Sequence, residues 1–191
     1  MSYLKPLLIS TLTLLLSATL SAQESAAFDK TFTLEGITFH VTCPNDSSLS
    51  KLTIKTKGLE RDDVLTQEID GTVSGAEIAD LNGDGAPEIY VFTTSAGSGS
   101  YGSVVAYSSN HNKSVSEIYF PEDDPKNKAF KGYMGHDEFT IIENRLARRF
   151  PVYNDKDSNA KPTGGMRQLT YKLVPGEAAW QLKLVKSTDL K

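Results

Sequence analysis

The 191-residue chain has a single cysteine, Cys43. An internal disulfide is therefore excluded, as is a cysteine zinc cluster, and the fold has to rest on a packed core. Histidine is almost as scarce. His40, His111 and His136 lie in no zinc or triad signature. His136, Asp137 and Glu138 are consecutive, and neighbours in a strand or turn point to opposite sides, so they do not converge without a special bend. Ser98 opens no helix, as a nucleophile elbow requires, and the run Gly97-Ser98-Gly99-Ser100-Tyr101-Gly102 fits neither the dinucleotide nor the Walker glycine pattern. Catalysis is not expected. An excess of basic residues is also missing. The net charge is −4, which argues against nucleic acid or an anionic membrane surface as partner and suits a cationic one. Nor does the chain show a convincing amphipathic helical period or a repeat at fixed spacing.

Long apolar character occurs once, in residues 7–20. Lys5 is the only charge before Glu24, and Leu20-Ser21-Ala22 ends in small residues. The run is shorter than the ~20 residues of a spanning helix and no basic stop-transfer cluster follows, so residues 1–22 are expected to be a cleaved signal peptide. The exported remainder, residues 23–191, is expected to form one domain. Its 169 residues (191 less 22) carry a net charge of −5 once Lys5 is gone. No membrane association is expected after cleavage.

Alternation dominates the exported part. Phe32, Leu34, Ile37, Phe39 and Val41 alternate with polar neighbours around Glu35-Gly36, which predicts a hairpin. Cys43 falls on the face of Phe39 and Val41, which favours burial over an intermolecular bridge. Leu52 and Ile54 continue the pattern, and residues 59–70 lean to strand. Ala76 and Ile78 lead to the buried strand Glu88–Thr94, and residues 103–108 and 114–120 form a further hairpin around Asn110-His111-Asn112. Residues 139–143 and 146–153 pair, and a final hairpin turns at Pro175-Gly176-Glu177-Ala178. The charged run 121–128 contains no core-forming residue and reads as a solvated connection. The fold class is all-β: an antiparallel β-sandwich, or flattened barrel, of about 8–10 short strands.

Two signals flank the buried strand. Asp80, Asn82, Asp84 and Glu88 place oxygen-bearing side chains around the glycine turn Gly83 to Gly85, as an oxygen-only cation site requires, and a structural calcium would fit. The pattern departs from an EF-hand, since the twelfth position is Val91. Asn-Gly and Asp-Gly are also preferred in turns that bind nothing. No other cofactor is called for. Beyond the strand, Ser98-Gly99-Ser100-Tyr101 combines close backbone approach, adaptable hydroxyls and one large amphipathic ring. That is the composition of a binding loop, and equally of a hairpin tip whose tyrosine packs back on the sheet.

The run from Asp80 through Glu88-Ile89-Tyr90-Val91-Phe92 to Ser98-Gly99-Ser100-Tyr101 resembles the periplasmic inhibitor family of I-type (invertebrate) lysozyme. Its S-G-x-Y motif is matched by Ser98, Gly99 and Tyr101. The resemblance implies a periplasmic β-sandwich that presents residues Ser98, Gly99, Ser100 and Tyr101 to the cleft of an I-type lysozyme and inhibits by occlusion. A homodimer is compatible with the sequence. The alternative is a calcium-stabilised extracytoplasmic adhesion or surface-binding module, motivated by the Asp80 turn.

Overall fold

A computed structural model of the chain describes residues 26–190, so the expected leader at 1–22 lies outside the described residues. Within them, twelve strands form three four-stranded antiparallel sheets. The first sheet runs β1 (Phe28–Leu34), β2 (Ile37–Cys43), β3 (Leu49–Lys57) and β4 (Val64–Asp70) in spatial order. The second contains β5 (Thr72–Ala79), β6 (Glu88–Thr94), β7 (Gly102–Ser108) and β8 (Ser116–Ile118). The third has the order β12-β11-β10-β9, from β9 (Glu138–Ile142), β10 (Arg145–Pro151), β11 (Met166–Pro175) and β12 (Trp180–Leu190). A short 3₁₀ turn, Lys128–Phe130, is capped by Asn127. No helix among the described residues is long and apolar enough to cross a membrane.

Each sheet is a meander because every turn joins neighbours in sequence. What the alternation on individual strands does not announce is that the second sheet lies between the other two. Strand β6 is buried along nearly its whole length. Its side chains alternate between two cores. Ile89 and Val91 pack with Phe39, Val41, Leu52 and Ile54 of the first sheet, while Tyr90 and Phe92 pack with Leu146, Phe150, Leu169 and Tyr171 of the third. A strand covered on both faces keeps no polar stripe, which is why Ile89-Tyr90-Val91-Phe92 reads as a continuous apolar run. Strand β7 divides in the same way, with Tyr107 on one side and Val104 and Ala106 on the other.

Polar clamps set the spacing between sheets. Asn45 is buried, accepts a hydrogen bond from the Val73 N–H at 2.8 Å and donates to the Val73 carbonyl at 3.1 Å. It thereby holds the β2–β3 connection against β5. The Tyr107 hydroxyl donates to Gln67 Oε1 at 2.7 Å, a second tie between the first two sheets. The second and third sheets meet along one edge, where the Tyr119 N–H donates to the Trp180 carbonyl and the Leu182 N–H to the Tyr119 carbonyl, both at 2.9 Å. At the opposite edge the Ile141 N–H reaches Glu77 Oε2 at 3.1 Å. The result is an all-β sandwich with an extra layer, unclosed into a barrel. Cys43 lies in the first core at 1% exposure.

Residues 122–128 are exposed, as a solvated connection should be, but Asp123 also forms a two-toothed ion pair with the buried Arg148, at 2.6 and 2.8 Å. A run of charges reads as solvated until one of its members has a buried counter-ion, and Arg148 lies on a distant strand.

Candidate functional site

The β6–β7 connection carries the Ser-Gly-Ser-Tyr run. Thr94 pairs with Gly102 in the ladder, so residues 95–101 form the loop. Two hydrogen bonds close its neck: the Ser95 N–H donates to the Tyr101 carbonyl at 2.9 Å, and the Tyr101 N–H donates to the Ser95 side chain, at Oγ, at 3.0 Å. At the tip the Ser100 N–H donates to the Gly97 carbonyl at 2.9 Å, making a tight turn. Ser98 is exposed and Tyr101 is 50% exposed. The glycine between them has a specific task. A Cβ on Gly99 would run into the Tyr101 ring, so only glycine lets the ring fold across the loop's own backbone. The outer edge of that ring is left to solvent.

A second segment supports the loop from below. The His136 N–H donates to the carbonyls of Gly99 at 2.7 Å and Ser100 at 3.2 Å, and Asn159 Nδ2 donates to the Ser98 carbonyl at 2.6 Å. Gly135 lies so close that a Cβ there would overlap the Gly99 carbonyl, at a φ of +92° that side chains rarely adopt. Asp137 then anchors the end of the loop, since its Oδ2 accepts from the Gly102 N–H at 2.7 Å and from the Tyr133 hydroxyl at 2.6 Å. Tyr133 in turn meets the Tyr101 ring edge to face, with centroids 5.7 Å apart.

Beneath this lies a buried ion pair. The Arg148 side chain is 1% exposed and that of Asp137 is 0% exposed. Arg148 Nε donates to Asp137 Oδ1 at 2.6 Å, its Nη atoms donate to Asp123, and Nη2 also donates to the Tyr133 hydroxyl at 2.6 Å. The guanidinium lies 4.8 Å from the Tyr133 ring centre. Burial alone would disfavour its charge, but the carboxylates of Asp123 and Asp137 more than offset that and hold it firmly protonated. Burial raises the Tyr133 hydroxyl above its usual range, against the pull of Arg148, so it stays a donor. A chain of contacts therefore runs from the third sheet through Arg148, Asp137 and Gly102 to the base of the exposed loop.

The other sequence signal stands at the far end of β6. Asp80 Oδ1 accepts from the N–H groups of Gly83 and Asp84, Oδ2 from that of Gly85, and Asp84 Oδ1 from that of Ala86, at 2.7 to 3.1 Å. Asn82 is tied to Asp84 at both ends of its amide. The carboxylates of Asp80, Asp84 and Glu88 converge. This turn fixes where β6 begins, and the Ser98 loop starts where β6 ends.

The histidines are dispersed. His40 Nε2 is 2.7 Å from Asp29 at an exposed edge, and His111 Nδ1 is 3.7 Å from Asp84. His136, read as a loop residue in solvent, is half-buried under the Ser98 loop; its backbone N–H holds the loop and its Nε2 lies 3.3 Å from Asn159 Oδ1. Sequence reasoning missed Gly135, Asp137, Tyr133, Asn159 and Arg148 as supports. The adjacency of His136, Asp137 and Glu138 was a signal, though for scaffolding rather than chemistry.

Residues 54–131 match the family model described as periplasmic lysozyme inhibitor of I-type lysozyme. The matched span is less than half of the chain. It runs from β3 to the end of the 3₁₀ turn and includes the Asp80 turn, β6 and the whole Ser98 loop. The similarity to this inhibitor family supports a periplasmic lysozyme inhibitor and, with it, a binding rather than catalytic role. No curated protein matches the chain.

Proposed function

We propose that the protein inhibits an I-type lysozyme by inserting the loop Ser98, Gly99, Ser100 and Tyr101 into the enzyme's cleft. The observation that carries this reading is the combination of exposure at the tip with rigid support below it. An exposed ring and hydroxyls on a backbone pinned by His136, Asn159 and Asp137 need little further ordering on binding, so less of the contact energy goes into fixing the loop. Glycosidase clefts are built around paired carboxylates. The hydroxyls of Ser98, Ser100 and Tyr101 can donate to such groups where an inserted carboxylate would be repelled. The acidic balance of the chain, net −4, steers a basic enzyme inward without placing charge at the contact itself. Inhibition on this reading is steric, with all the catalytic groups on the enzyme's side.

The test is inhibition of a panel of I-, c- and g-type lysozymes by the purified protein. Stoichiometric loss of I-type activity, with weaker or no effect on the other two, is the expected outcome. Full I-type activity in the presence of excess inhibitor would end the proposal.

A further inference from the structure

We propose that Asp80, Asp84 and Glu88, with Asn82 beside them, form a calcium site at the head of β6. One carboxylate oxygen from each acid lies within 4.8 Å of the others. That is the separation of ligands on opposite sides of an ion bound at ~2.4 Å. The side chains of Asp80, Asn82 and Asp84 are held in place by the N–H groups of Gly83, Asp84, Gly85 and Ala86, so the turn is preformed.

An acidic turn alone would carry little, and the decisive feature is Glu88. The residue is 0% exposed. Its Oε2 accepts from the Leu81 N–H at 2.8 Å and the Tyr90 hydroxyl at 3.3 Å, while Oε1 is buried without a hydrogen-bond partner among the described residues. Buried carboxylate oxygens are normally satisfied, because an unpaired one forfeits its hydration with nothing in return. A cation facing Asp80 and Asp84 would supply the missing partner and relieve the repulsion between the three acids. The donor set selects a hard cation. It is all oxygen, and the one nearby imidazole nitrogen, His111 Nδ1, is 3.7 Å from Asp84 on a largely exposed side chain. Magnesium demands a near-ideal octahedron at ~2.1 Å and gives up its waters reluctantly, so a cluster of protein carboxylates favours calcium.

The experiment uses the chelator-stripped protein at neutral pH, with calorimetric titration of calcium and thermal melts in calcium, magnesium or chelator alone. Neither readout involves lysozyme, so the result is independent of the inhibitor proposal. One calcium per chain and a melting temperature about 5 °C or more higher in millimolar calcium are expected, with a smaller rise in magnesium. Glu88→Gln keeps the shape of the side chain and replaces one of its two ligand oxygens with an amide nitrogen. It should fold and lose the calcium-dependent rise, and Asp84→Asn provides a second, less buried variant with the same expectation. Absence of binding heat together with equal melting in calcium and chelator would overturn the proposal. So would a calcium-dependent rise that persists in both variants.

Discussion

Replacing Asp137 with asparagine tests whether the exposed loop is mechanically tied to the buried charge beneath it. Asp137 receives three donors: Arg148 Nε at Oδ1, and the Gly102 N–H and the Tyr133 hydroxyl at Oδ2. An amide keeps one acceptor oxygen and places an NH₂ group where the other oxygen was. Whichever way it turns, that NH₂ faces a donor, either the guanidinium or the pair from Gly102 and Tyr133. A charge-assisted hydrogen bond contributes about 1.5–3 kcal/mol, and breaking a fully buried pair costs about 3–5 kcal/mol. Asp123 still holds Arg148 with two hydrogen bonds and is itself partly exposed, which places Asp137→Asn near the lower end, at about 3 kcal/mol. In urea that corresponds to a midpoint lowered by roughly 1–2 M, and in a thermal melt to about 6–12 °C. Asp155→Asn, on an exposed stretch, is the control and should stay within about 0.5 kcal/mol. A loss below about 1 kcal/mol for Asp137→Asn would show that the Arg148 network is not what holds the loop.

The packing carries two more expected outcomes. Gly135→Ala should lower stability by about 1–3 kcal/mol and weaken lysozyme inhibition besides, because the left-handed backbone and the overlap with the Gly99 carbonyl both push the loop out of place; melting and inhibition assays on the same preparation check this. Cys43 should resist thiol reagents in the native protein and react once denatured, since it lies in the core at 1% exposure; rapid native labelling would contradict the packing of the first sheet against the second.

Alternation made most strands readable. The hairpin around Glu35-Gly36 was legible because Ile37, Phe39, Val41 and Cys43 all face one core. The layering was not. The run Ile89-Tyr90-Val91-Phe92 marked β6 as a buried strand, but an apolar run does not say which partners lie on each side, and the third sheet is supplied by strands some fifty residues further on. The loop itself was readable from glycine, serine and tyrosine together. Its foundation was not, for a physical reason. Arg148, in the stretch Leu146-Ala147-Arg148-Arg149-Phe150, looks like one of two solvated arginines, and only the folded chain brings Asp123 and Asp137 to it from separate loops. A buried charge is invisible in sequence when its counter-ions are distant.

The role of the Ser98 loop is tested most directly by the inhibition constant of Tyr101→Ala against an I-type lysozyme, measured on protein shown to melt like the parent. Tyr101 is 50% exposed, so roughly 100 Å² of its surface is available to a partner, worth up to about 2.5 kcal/mol. A tenfold or greater rise in the inhibition constant, with a smaller rise for Ser98→Ala, is the predicted result. Unchanged inhibition by both variants would contradict the assignment of the loop as the contact.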